Sequence, residues 1–288
     1  MRLDSEDTAL SPIVAVAPSN DPAQRQSRFV GDKALQPIDD TRGTRALTFV
    51  LSATAGSVDA IGFLGLDGLF IAHITGNLVI LAARIGAGGQ APIAHLLSVP
   101  VFIVALAATR LLAAAFDRSG IATLRPLLFL QFLLLSICLA ICMTMGSAAD
   151  PDRPVMVLAA MLGVSAMAVQ NALVQISLKD VPSTAVMTTN WTRFVLDLGE
   201  ALLGNDLAGR YRAMARARRT GTAIVGFLTG AVFGALCQAH FGLWSLALPT
   251  ALALAAFALV SCWRWLQRAS IGDEPSGCSA RTPASSAI

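Results

Sequence analysis

The sequence predicts an all-α polytopic membrane bundle, with about six transmembrane helices plus two broken or re-entrant segments, in two inverted repeats. Three observations predict it. Only 14% of the 288 residues are charged while 55% are apolar, against roughly 25% charged in a soluble domain. The charges also avoid the middle of the chain: 13 of the 39 lie in residues 1–45 and 4 in residues 267–288, leaving 22 for the 221 residues between. Finally, a short polar motif occurs twice inside apolar segments. The depleted middle cannot make a soluble surface, which excludes a water-soluble enzyme.

Residues 1–45 are rich in Asp, Pro, Ser and Gln, have no apolar core, and read as a disordered tail without a signal peptide. Eight apolar segments follow: Ala46–Leu64, Leu69–Arg84, Leu96–Phe116, Pro126–Met145, Val155–Val174, Thr184–Leu203, Thr220–Gln238 and Leu243–Trp263. A spanning helix needs about 20 mostly apolar residues. The second segment is short and carries His73, Thr75, Gly76 and Asn77. The sixth carries Thr188, Thr189, Asn190, Arg193, Asp197 and Glu200. These two read as re-entrant and the other six as spans. Residues 267–288 read as a second disordered tail.

Basic side chains favour six spans over eight. With six, 14 arginines and lysines fall on the side of the N-terminus, and only Arg84 and Arg153 on the other. This is the pattern that cytoplasmic loops impose. The domain division is then a tail over 1–45, a membrane domain over 46–266 with repeats at 46–146 and 155–266, and a tail over 267–288.

The repeat rests on Gly56-Ser-Val-Asp59-Ala60 followed by Thr75-Gly76-Asn77-Leu78. The second half has Ala168-Val-Gln170-Asn171-Ala172 followed by Thr188-Thr189-Asn190-Trp191. Asp59-Ala60 then matches Asn171-Ala172. With six spans, the first helix of each half runs in the opposite sense, which is the build of many secondary transporters.

At these residues the chain resembles the YoaK-like bacterial membrane proteins, a family of unknown function described as small permeases. The resemblance covers roughly residues 45–265. Ala168 and Thr189 stand where glycine is expected. It implies a multi-pass protein of the bacterial inner membrane, and the charge pattern places both termini in the cytoplasm. No established substrate comes with it.

Asp59 lies about 14 residues into an apolar run. A carboxylate at the bilayer centre costs about 2.5–3.5 kcal/mol on insertion scales and marks a partner or a wet cavity. It is the candidate proton or cation group, with His73 as relay. Thr75, Gly76 and Asn77 read as a break followed by a helix start, whose N–H donors favour an anionic or carbonyl-bearing solute. Gln170, Asn171, Thr188 and Asn190 complete the expected solute or ion site. Arg193 and Asp197 are spaced to pair on one face, and the arginines from Arg210 to Arg219 read as a topology signal that touches anionic lipid.

The spacing of Gly226, Gly230 and Gly234 permits close helix approach. It serves either to join the two halves or to form a homodimer. No Walker loop, zinc motif, nucleophile elbow or Rossmann fingerprint occurs. No enzyme activity, cofactor, metal site or nucleic-acid partner is expected. The function expected is a secondary transporter of an unidentified small solute, with a passive channel or a membrane scaffold as alternatives.

Overall fold

The apolar segments form eight α-helices joined by short links, with no strand among the described residues. The computed structural model describes residues 42–145, 152–178 and 181–272, with residues 263–272 as backbone alone. The helices are α1 (Arg42–Gly65), α2 (Ile74–Gly86), α3 (Ile93–Arg118), α4 (Leu124–Met145), α5 (Pro154–Ser177), α6 (Met187–Leu203), α7 (Leu207–Phe241) and α8 (Ala247–Gly272). A short 3-10 turn over Gly242–Leu246 separates the last two. Gly242 has φ +57° and ψ −141°, a conformation essentially reserved for glycine.

Four helices and the stretch Leu207–Cys262, which contains α7 and α8, are long and apolar enough to cross a membrane. Counting α7 and α8 separately gives six crossings. The 24 residues of α1 make a rod of about 36 Å, enough for a hydrocarbon core of about 30 Å. The tails mostly lie outside the described residues. Where they are described, helix replaces the expected disorder: α1 begins at Arg42 and α8 continues to Gly272.

Helices α1 and α5 form the buried centre, whereas α3 is exposed over most of its length. The central pair is antiparallel. Gln170 on α5 donates to the Leu51 carbonyl on α1, while Gly163 on α5 meets Ile71, which hangs from Asp59 eight residues further along α1. Helix α7 runs parallel to α1. Gly226 sits on Phe49 and Ser52, Gly230 on Ala53, and Gly234 on Ser57. A Cβ at Gly226 would come within 2.6 Å of the Phe49 carbonyl oxygen, and one at Gly234 within 2.8 Å of Ser57 backbone. Gly56 returns the fit by facing the Phe227 carbonyl. The glycine face therefore joins the two halves, packing on α1 of the same chain.

Both short helices belong to hairpins that enter the bundle and leave at the same end. After α1, the chain turns at Asp67 (φ 54°) and Gly68 (φ 82°) and runs back beside α1 as far as Asp59. It then returns as α2, where Arg84 donates to the Asp67 carboxylate at 2.7 Å and to the Asp67 carbonyl. The Arg84 guanidinium holds the Asp67 carboxyl below its ordinary range. After α5, the chain doubles back so that Thr184 reaches Gln170, then leaves as α6, antiparallel to α7. Phe194 meets Gly221 and Arg210 donates to the Ala201 carbonyl. Asp197 and Glu200 both pair with Arg216 of α7, at 2.7 and 2.6 Å. The expected Arg193–Asp197 pair is thus replaced by a contact between helices.

Two expectations follow. Gly230→Ala drives a methyl group into Ala53 backbone and destabilises the protein by about 1–3 kcal/mol, whereas Gly199→Ala meets open space and gains up to about 1 kcal/mol. Thermal unfolding in detergent measures both. In a cysteine-free background, Ala87→Cys and Asn205→Cys react with an impermeant maleimide from opposite faces of the membrane. Labelling from one face overturns the antiparallel arrangement.

Candidate functional site

A chain that breaks its helix inside a membrane must find partners for the freed N–H and C=O groups. In the first hairpin the partner is Asp59, whose residue is 4% exposed. Its Oδ1 accepts from the backbone N–H groups of Ile71 (2.9 Å), Ala72 (2.6 Å) and His73 (3.2 Å). Its Oδ2 lies 2.5 Å from His73 Nδ1. One buried carboxylate thus satisfies three backbone donors and one ring nitrogen. These donors lie in the non-helical segment just before α2, which begins at Ile74, and the anion they attract is supplied from within.

His73 is the more exposed member of the pair. Its side chain is 35% exposed against 5% for Asp59, and its ring packs edge-on against Phe227 of α7 at 5.4 Å. The pair therefore joins the hairpin to the glycine-bearing helix. Asn77 completes the first hairpin. Its Oδ1 accepts from the Phe70 N–H at 2.8 Å and its Nδ2 donates to the Phe70 carbonyl at 2.7 Å. A side-chain amide here replaces a missing backbone partner.

The second hairpin repeats the device. Asn190 Nδ2 donates to the Ser183 carbonyl at 2.6 Å, the same seven-residue reach. Gln170, fully buried, donates to the Leu51 carbonyl (2.9 Å) and the Thr184 hydroxyl (3.0 Å) and accepts from Gln131 (2.6 Å). The sequence match of Asp59 with Asn171 is corrected by one residue. Asn171 turns back to the Met167 carbonyl on its own helix, and Gln170 holds the re-entrant segment. Gln131 and Thr184 were missed. An amide about one-third of the way along the largely apolar α4 is the signal for Gln131.

Three further expectations change. Thr75 and Thr188 are exposed rather than facing Asp59. No left-handed backbone occurs at the motif, and α2 begins at Ile74 with no side-chain cap on its first turn. Gly76 is instead required for space, because a Cβ there would lie 2.8 Å from the Phe70 ring. At the equivalent places stand Ser183 and Thr189. The polar residues also sit at two levels. Leu51 and Asp59 are eight residues apart, about 12 Å along α1.

A family profile described as a protein of unknown function, DUF1275, matches residues 47–259. The chain belongs to the DUF1275 family. The match spans both hairpins and all the helices that hold them. No curated protein and no solved structure matches the chain.

The two asparagines differ in a testable way. Asn77 uses both ends of its amide, whereas Asn190 Oδ1 is buried without a partner. Asn77→Ala leaves a buried N–H and C=O unmet, at about 1–3 kcal/mol each. Asn190→Ala strands a single carbonyl and removes an orphan acceptor. Unfolding in detergent is expected to rank Asn77→Ala clearly below Asn190→Ala.

Proposed function

We propose that this DUF1275 protein is a proton-coupled secondary transporter of a small anionic or carbonyl-bearing solute, acting in the bacterial inner membrane like the YoaK-like permeases it resembles. The observation that carries the reading is that the Asp59 carboxylate occupies a cluster of N–H donors suited to an external anion. As a carboxylate, Asp59 only accepts hydrogen bonds; once protonated it gives up acceptor capacity and one oxygen becomes a donor. The donors of Ile71, Ala72 and His73 then face a weaker partner, and a solute anion competes for them. Proton arrival at Asp59 and anion arrival at the N–H groups of residues 71–73 are thereby linked.

His73 supplies the path by which the proton reaches Asp59, being the more exposed member of the pair. Release of the segment over residues 70–73 frees the His73 contact with Phe227, which gives α7 and its glycine seam a reason to move. The second hairpin is held by neutral amides at Gln170 and Asn190, so the coupling resides in the first half. Opposed hairpins around an antiparallel central pair fit alternating access.

Asp59→Asn tests this, because an amide oxygen still accepts from the backbone while the charge is gone. Proteoliposomes loaded with a pH dye receive a panel of small carboxylates, with and without an inward proton gradient. The native protein is expected to accumulate one of them with proton entry. Asp59→Asn is expected to exchange it at a comparable rate without accumulation. Gradient-driven accumulation that survives in Asp59→Asn sinks the coupling role, and the absence of saturable flux for any solute sinks transport.

A further inference from the structure

His95 stands in the first turn of α3, fully buried. The Gly68 backbone lies within reach of the ring, but neither ring nitrogen makes a well-formed hydrogen bond. A neutral imidazole carries one donor and one acceptor, and the Gly68 backbone answers only one of them, so the other nitrogen is left unmet. Leaving a buried polar group unpaired is expensive, and folded proteins rarely do so without a bound molecule.

Beside the ring lies a cavity of about 10 Å³, close to the smallest volume that holds one water. Its walls include Leu66, Asp67, Pro92, His95, Asp152 and Met156. Two of these are carboxylates. Asp67 is held ionised by Arg84, and its side chain is 47% exposed, so the cavity borders the solvent-reaching turn of the first hairpin. Three elements meet here: the turn after α1, the start of α3 and the start of α5. They are the two ends of the first hairpin and the entry to the second half.

We propose that this cavity is a second binding site, separate from the Asp59–His73 pair, for one water-sized hydrogen-bond donor. Water and ammonium share that chemistry: each is small enough, and each can donate to the imidazole and to a carboxylate together. The occupant donates to the unmet His95 ring nitrogen and ties it to Asp67 and Asp152 across the mouth of the hairpin. The charged groups facing the ring are Asp67, Asp152 and Arg84, so the occupant sits between one buried ring and two acids. The site does not require that the protein transport anything.

The sign of one substitution separates an occupied site from a dry one. His95→Phe keeps a planar ring and removes both nitrogens. If the cavity is dry, the unmet ring nitrogen vanishes and the melting temperature rises. If it is occupied, the occupant loses its ring partner and the melting temperature falls. We expect a fall.

Nitrogen-15 spectra of the histidine rings in the full-length protein give an independent reading that stands even if the variant fails to fold. With three histidines in the chain, the His95 ring is assigned by comparison with His73→Gln and His240→Gln. Magnetisation transfer from bound water to the His95 ring identifies water. A saturable shift of the His95 signal on adding ammonium chloride, absent with sodium chloride, identifies ammonium. Neither effect, together with a melting temperature raised by His95→Phe, overturns the proposal.

Discussion

The structure depends on one interaction: a single buried carboxylate that takes the place of missing helix hydrogen bonds. The first hairpin enters the bundle as extended chain over residues 70–73, where backbone N–H groups find no helical partner. Asp59 collects three of them and a ring nitrogen. Without it, each orphaned group would cost about 1–3 kcal/mol, and the hairpin would have no reason to stay. The ionisable residue that looks expensive in an apolar helix is what makes the broken segment affordable.

The second half solves the same problem with neutral groups. Gln170 and Asn190 hold the chain near Thr184 and Ser183, and Gln131 closes the network from α4. Amides need no counter-charge and do not titrate. The two halves therefore share a backbone design and differ in chemistry: one is held by a carboxylate and the other by neutral amides.

The glycine seam fixes how closely two helices approach. Gly56, Gly226, Gly230 and Gly234 bring α1 and α7 to backbone contact, so that side chains contribute little to that interface. Backbone against backbone has few rotamers to rearrange. His73 touches α7 at Phe227, one residue from the seam. A change at Asp59 reaches that interface through a single ring.

Hydropathy and charge placement in the sequence determined the helix count, the two short polar segments and their opposed directions. These follow from solvent: lipid demands long apolar runs, and positive loops sort to one side. The importance of Asp59, His73, Asn77, Gln170 and Asn190 was also legible, because a polar group inside an apolar run needs a partner. Which partner it takes was not. Asp59 bonds residues 12 to 14 positions away, and Gln170 reaches 119 positions back to Leu51. Such reach depends on how helices pack, and no local spacing encodes it. Tertiary structure also decided that Gln170, not Asn171, faces the hairpin, that Thr75 and Thr188 face outward, and that the glycines meet α1. Adjacent residues on a helix point about 100° apart, so one step in register separates a buried tie from a side chain that folds back on its own turn.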